Sequence, residues 1–181
     1  STNQSNNTAT LNDQTAPTMT ITATDGTSTV SSGSTTNDAA LTVTFTSSET
    51  ATNFASSDIT VSGGTLGTLS GSGTTYTATF TPSADGATTI DVAASTFTDA
   101  AGNNNTAATQ YAWTYDGTAP TASLAYTISS SAVSNVKQND VVTLTATFNE
   151  NIADSPVMQI SGSGVETISA TDMTKASATS Y

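Results

Sequence analysis

Alternation of apolar residues with threonine is the feature of this sequence that most constrains its fold. Three runs show it clearly, at 19–23, 41–45 and 76–80. A β-strand points successive side chains to opposite faces, and threonine, which is β-branched, suits the exposed side of a pleated sheet. These runs therefore predict half-buried strands, although the low content of large apolar residues would by itself suggest disorder.

Glycine-rich turns separate these strands at short intervals. Gly63-Gly64 and the segment 71–73 are hairpin signals, and Gly86 follows a third turn. The pattern predicts an all-β sandwich of about seven antiparallel strands, with no helical periodicity. The predicted strands are A (about 18–23), B (40–46), C (58–62), D (65–69), E (75–81), F (88–93) and G (109–115).

A repeat with a period of 103 residues divides the chain. Thr-Ala-Pro-Thr at 15–18 recurs at 118–121, the run 41–45 maps onto 144–148, and Asp13 maps onto Asp116. This length suits one sandwich domain, so the sequence predicts tandem domains with neighbouring repeats as partners. We expect a complete domain at 15–117, an incomplete second one at 118–181, and at 1–14 a linker or the tail of a preceding repeat.

The composition excludes several classes of function. The chain has 14 acidic and 2 basic residues, a formal net charge of −12, and neither Cys nor His. Disulfides, thiol nucleophiles and Cys-ligated zinc are therefore excluded, and the usual general base is missing. An acidic surface repels nucleic acid, and no apolar run is long enough for direct membrane insertion. We therefore expect no enzyme.

Three stretches carry a family resemblance. The sequences at 75–86 (TYTATFTPSADG), 98–103 (TDAAGN) and 115–120 (YDGTAP) resemble bacterial immunoglobulin-like repeats of large secreted adhesins and surface proteins. The resemblance implies tandem Ig-like β-sandwiches in an extracellular stalk or adhesin segment at the bacterial cell surface, often rigidified by calcium. One departure concerns Glu49, which lies four residues after Phe45, whereas Glu150 lies two residues after Phe148.

Strand parity predicts which acidic residues can meet. Strands A, C, E and G run in one direction and strands B, D and F in the other. The B–C, D–E and F–G loops therefore lie at the end of the sandwich at which the chain enters the domain. Carboxylate and amide oxygens without His or Cys suit calcium rather than zinc or copper. The candidate ligands at the joints are Asp13, Glu49, Asp99 and Asn103 at the first, and Asp116, Glu150, Asp154, Asp25 and Asp85 at the second. The alternative is that these are solvated turn residues.

Three functions follow from these features. The first is a structural extender with cation-stiffened joints between domains. The second is a glycan- or receptor-binding module that would recognise a host receptor, which needs an exposed aromatic surface that Trp113 on predicted strand G could supply. The alternative, which the alternation of Tyr111, Trp113 and Tyr115 favours, is that these rings pack in the core or between domains. The third is a self-assembling filament or surface-layer subunit, in which residues 1–14 add as a strand to an identical subunit.

Overall fold

A computed structural model describes residues 12–128 and 142–152, together with two short strands further on. The chain divides into two compact units, unit 1 (Ser1–Thr118) and unit 2 (Ala119–Tyr181). Within the described ranges the regular structure is β-strand, apart from one 3-10 turn at Ser56–Asp58. No helix in these ranges is long and apolar enough to cross a membrane.

The described residues of unit 1 form nine strands. They are β1 (Met19–Thr24), β2 (Thr29–Val30), β3 (Thr35–Thr36), β4 (Leu41–Ala51), β5 (Ile59–Ser62), β6 (Gly64–Leu66), β7 (Ser70–Pro82), β8 (Gly86–Val92) and β9 (Tyr111–Tyr115). Unit 2 contains β10 (Ala122–Ile128), β11 (Val142–Phe148), β12 (Val157–Met158) and β13 (Thr171–Asp172).

The strands of unit 1 form two sheets. One has the order β2-β1-β4-β7-β6 and the other the order β3-β9-β8-β5. Neighbours are antiparallel except for β3 and β9, which pair in parallel with Thr35 opposite Thr114. Buried side chains from both sheets form one hydrophobic cluster, which makes the unit a sandwich. The predicted all-β, Ig-like sandwich is thus confirmed.

The alternation in the sequence determines which side chains enter this core. In β4, Leu41, Val43 and Phe45 are fully buried, and the threonines between them lie on the opposite, more exposed side of the strand. The single tryptophan, Trp113, is 2% exposed and packs edge-on against Phe80, with ring centroids 4.8 Å apart. A slip of one residue in the strand register would expose these side chains to solvent, so the apolar pattern fixes the pairing.

Two strands are longer than the sequence pattern predicts. β4 continues to Ala51 through an irregularity in register after Thr46, and Ala51 pairs with Gly73 in β7. The additional residues at 47–50 and 70–74 are mostly Ser, Thr, Gly and Glu, so they carry no apolar alternation. Backbone pairing extends both strands there, and it places Glu49 within β4, not in the predicted B–C loop.

The β10–β11 hairpin of unit 2 gives the predicted repeat a different alignment from that of the sequence spacing. Leu124 pairs with Ala146, whereas the residue that corresponds to Leu124 in unit 1, Ile21, pairs with Phe45. The second strand is therefore related by 101 residues and not by 103, which aligns Phe45 with Ala146. The prediction of a second Ig-like domain stays a prediction, because much of 118–181 lies outside the described residues.

Candidate cation-binding site

Three carboxylates from distant parts of unit 1 converge at one end of the sandwich. One oxygen from each of Asp13, Glu49 and Asp99 lies within 4.8 Å of the others. Asp13 is exposed, Glu49 is half-buried and Asp99 is buried at 4% exposure. They border an open cleft of about 720 Å³ that also includes Asn12 and Thr50. Strand parity predicted this grouping, and the structure brings these three residues together.

Each carboxylate is brought to the cleft by a different element. Asp13 belongs to the leading segment (residues 12–18), whose Pro17 carbonyl accepts a hydrogen bond of 3.0 Å from Thr106 N–H. Glu49 lies in the irregular part of β4, where a bulge redirects side chains. Asp99 lies in the connection between β8 and β9, and Thr52 N–H binds the Thr98 carbonyl at 3.0 Å, which joins that connection to the end of β4.

Asn103 holds the residues of the cluster in place by hydrogen bonds and adds no carboxylate to it. Its side-chain Nδ2 donates to Asp99 Oδ2 at 2.8 Å and to the Asp13 carbonyl at 3.2 Å. Its backbone N–H donates to Asp99 Oδ1 at 2.8 Å. The predicted ligand Asn103 therefore holds Asp99 in a tight turn and connects it to the leading segment.

The electrostatics of the cluster reflect three negative charges in a confined space. Desolvation raises the pKa of Glu49, and the Asp13 charge raises it further. Burial acts to raise the pKa of Asp99 as well, but hydrogen bonds from the Asn103 side chain and backbone outweigh it and lower that pKa. Hydrogen bonds from Thr15, first from its backbone and then from its side chain, lower the pKa of Asp13. Two carboxylates are thus held ionised beside a third that resists ionisation.

Asn105 is the residue of this site that the sequence analysis missed. It is 3% exposed, and its Oδ1 accepts hydrogen bonds from Thr96 N–H at 2.8 Å and Phe97 N–H at 3.0 Å. Its Nδ2 donates to the Ala93 and Thr106 carbonyls, both at 2.8 Å. It therefore shapes the connection that carries Asp99. The only sequence signal is a run of three asparagines in a predicted turn, which does not distinguish one of them.

Two of the other candidate ligands make local contacts within unit 1. Asp25 Oδ1 accepts from Thr27 N–H and Ser28 N–H, both at 2.6 Å, so Asp25 closes its own turn. Asp85 Oδ1 accepts from Gly117 N–H at 2.7 Å. Across the described residues, the three-carboxylate group is the one set of acidic side chains close enough to share a metal ion.

The remaining candidates belong to the second predicted joint. Asp116 follows β9, and its Oδ1 accepts from Thr118 N–H at 3.3 Å, as Asp13 Oδ1 accepts from Thr15 N–H at 2.9 Å. Glu150 follows β11, and its buried Oε1 has no hydrogen-bond partner in the part of the chain that the structure describes. Asp154 lies outside the described residues.

The hairpin register also accounts for the departure noted for Glu49. Asn149 binds Thr121 through its backbone and side chain, with Asn149 Oδ1 accepting from Thr121 N–H at 2.6 Å. Ser48 binds Thr18 in the same two ways, with Ser48 Oγ accepting from Thr18 N–H at 2.9 Å. By these contacts, Glu150 corresponds to Glu49 in the predicted repeat.

Comparison with known proteins identifies the family. The family model described as a bacterial Ig-like domain matches residues 13–115. The matched range begins at Asp13 and ends with β9, so it contains the whole sandwich and all three converging carboxylates. Neither a curated protein nor a solved structure matches the chain. The chain belongs to the family of bacterial Ig-like domains.

Proposed function

We propose that this chain is a structural extender, a stalk segment of an extracellular bacterial adhesin or surface protein, in which calcium ties the leading segment to the sandwich of unit 1. Bacterial Ig-like domains are commonly found in surface or extracellular proteins and are typically non-catalytic structural modules. The extender role and the bound cation go beyond that general assignment, and each rests on contacts within unit 1.

The observation that carries the extender role is where the chain enters the sandwich of unit 1 and where it leaves it. The leading segment contacts the β8–β9 connection, since Asn103 Nδ2 donates to the Asp13 carbonyl. The segment that follows β9 contacts the turn between β7 and β8, where Asp85 accepts from Gly117 N–H. These two regions lie at opposite ends of β8, a strand of seven residues that spans about 20 Å. Opposite ends suit a module strung head to tail, which lengthens a chain.

Calcium suits the three-carboxylate group because its possible ligands are oxygens. Calcium takes six to eight oxygens in flexible geometry, and Asp13, Glu49 and Asp99 approach from three separate elements. The pKa of Glu49 is raised by desolvation and then by the charge of Asp13, and a divalent cation would relieve the repulsion between these two carboxylates. Because Asp13 precedes β1, a cation held there would restrain the chain where it enters the sandwich.

The test is calcium-dependent stability of the whole 181-residue chain, followed by Trp113 fluorescence. This buried, unique tryptophan reports on unit 1 alone. Extracellular calcium modules bind with dissociation constants of about 0.1–1 mM. At calcium about tenfold above the dissociation constant, mass action adds about 1.4 kcal/mol. This corresponds to a rise in Tm of about 5–10 °C for a domain of this size. An equal Tm in calcium and in EDTA would refute calcium binding by unit 1.

A substitution at Glu49 separates binding from general charge effects. The folded-state pKa of Glu49 is raised, so its ionisation costs stability above that pKa and the cost disappears at lower pH. In EDTA at neutral pH, Glu49→Gln should therefore raise the Tm, whereas in calcium it should lower the Tm relative to the unaltered chain. The control is Asp91→Asn, which removes one charge from β8, where Asp91 Oδ2 accepts from Gln110 Nε2. It should produce no such reversal of sign.

The two alternative functions fare differently. The main support for a glycan-binding module is lost, because Trp113 is buried in the core of unit 1. Assembly between identical subunits retains one supporting observation in unit 2, where Leu124 is 65% and Tyr126 40% exposed on the β10–β11 hairpin. Sedimentation would test whether a second copy covers this face. Concentration-dependent dimers that Leu124→Ser abolishes would support assembly, and a monomer at all concentrations would exclude it.

A further inference from the structure

The three residues that follow β9 are held closely by unit 1. Asp116 N–H donates to the Thr36 carbonyl of β3 at 3.0 Å, and Gly117 N–H donates to Asp85 Oδ1 at 2.7 Å. Thr118 N–H donates to Asp116 Oδ1 at 3.3 Å. All three backbone donors of this exit segment (residues 116–118) are therefore satisfied within unit 1.

Asp85 accepts two hydrogen bonds from this exit segment. Besides Gly117 N–H, its carboxylate accepts a hydrogen bond from the Thr118 hydroxyl through Oδ2. The Thr118 hydroxyl, and after it the Gly117 N–H, lower the pKa of Asp85, so the carboxylate remains ionised at neutral pH. Hydrogen bonds to an ionised acceptor are about twice as strong as neutral ones.

Strand pairing brings the two segments together. Asp85 lies in the turn between β7 and β8, and the next residue, Gly86, pairs with Tyr115 at the end of β9. Residue 117 also lies under the Tyr115 ring. A Cβ placed there would be 2.4 Å from the Tyr115 Oη and 2.8 Å from Cζ, so a side chain at this position would displace the ring.

We propose that Asp85 is a latch that fixes the exit segment to the β7–β8 turn and so stiffens the chain where it leaves unit 1. This latch needs no metal, and it lies at the end of β8 opposite the three-carboxylate group. The biological purpose of this latch rests on the proposed extender function, whereas its contacts do not. The Asp85 carboxylate accepts from a backbone N–H and a hydroxyl of the same chain. This role differs from the cation binding that the sequence predicted for Asp85.

The experiment measures backbone motion and amide exchange at Gly117 and Thr118 by NMR, in the whole chain and in EDTA. In the unaltered chain, we expect both amides to show order parameters near 0.85, as in rigid backbone. Asp85→Ala should lower them below about 0.6 and speed Gly117 exchange on the order of tenfold. Thr118→Val, which removes only the hydroxyl, should give a smaller change in the same direction.

A matched control and a folding readout complete the test. Asp91→Ala removes the same charge and side chain from β8 and should leave the Gly117 and Thr118 amides unchanged. Trp113 fluorescence should show that Asp85→Ala leaves unit 1 folded. Unchanged exchange in Asp85→Ala, or an equal change in Asp91→Ala, would overturn the latch. Because the measurement is made in EDTA, a failure of calcium binding leaves its outcome unaffected.

Discussion

Replacing Asn105 with alanine tests most directly how the site is built. Asn105 lies in the connection between β8 and β9, and its buried amide bonds two peptide N–H groups and two peptide carbonyls. Alanine removes all four hydrogen bonds, because it has no side-chain donor or acceptor. We therefore expect the connection that carries Asp99 to lose its defined conformation and unit 1 to lose stability.

The magnitude follows from the groups left without partners. An unsatisfied buried donor or acceptor costs about 1–3 kcal/mol. Taking about 1.5 kcal/mol for each N–H, of Thr96 and Phe97, and treating the two carbonyls as rehydrated, gives a loss of about 3 kcal/mol. For a domain of about 100 residues, this lowers the Tm by about 12–24 °C. Such a loss is a large fraction of the stability of a small domain.

Urea unfolding of the whole chain, monitored by Trp113 fluorescence, measures this loss in unit 1 alone. The matched control is Asn104→Ala, which makes the same substitution one residue earlier, where the side chain is exposed. Exposed substitutions of this kind change stability by no more than about 0.5 kcal/mol. If the two variants lost equal stability, or if Asn105→Ala lost under about 1 kcal/mol, the assigned role of Asn105 would be wrong.

Two further predictions concern steric and ionic details of unit 1. Gly64→Ala places a Cβ 2.5 Å from the Phe80 ring and should cost about 2–3 kcal/mol in urea unfolding, whereas Gly73→Ala, with no neighbour within 4 Å and φ of 70°, should cost only about 1 kcal/mol. Equal losses would contradict the steric argument. The lowered pKa of Asp85 means that its contribution is present above the ordinary pKa of aspartate, near 4, and is lost as pH falls through the lower folded-state value. The chemical shift of the Gly117 amide should therefore titrate with a midpoint below the ordinary pKa of aspartate. A midpoint at or above that pKa would show that the hydrogen bonds from Gly117 and Thr118 do not stabilise the ionised carboxylate.

Much of the fold could be predicted because its causes are local. Alternation of threonine with apolar residues assigns Leu41, Val43 and Phe45 to one face of a strand, whatever that strand pairs with. Turn residues are equally local, and Asp25 bonds the backbone of its own turn without help from the rest of the chain. Strand order and parity then placed Asp13, Glu49 and Asp99 at one end of the sandwich.

Contacts between distant residues could not be predicted in the same way. The extension of β4 through Glu49 depends on pairing with Gly73, and neither segment has an alternating pattern that would indicate it. The alignment of the predicted repeats depends on the register of the β10–β11 hairpin, because a shift of two residues preserves every alternation of faces. Sequence spacing aligned Phe148 with Phe45, whereas matching the pairing of the two hairpins aligns Ala146 with Phe45.

The sequence by itself determined the class of fold, the faces of the strands and the oxygen-only chemistry available to any bound ion, since these depend on residue type and period. Only the tertiary structure decided that Asn105 shapes the Asp99 connection and that Asp85 holds the exit segment. Both roles depend on hydrogen bonds between a single polar side chain and backbone groups that the folded chain brings near. Such bonds leave no periodic trace in a sequence, because their partners are peptide groups, which every residue carries.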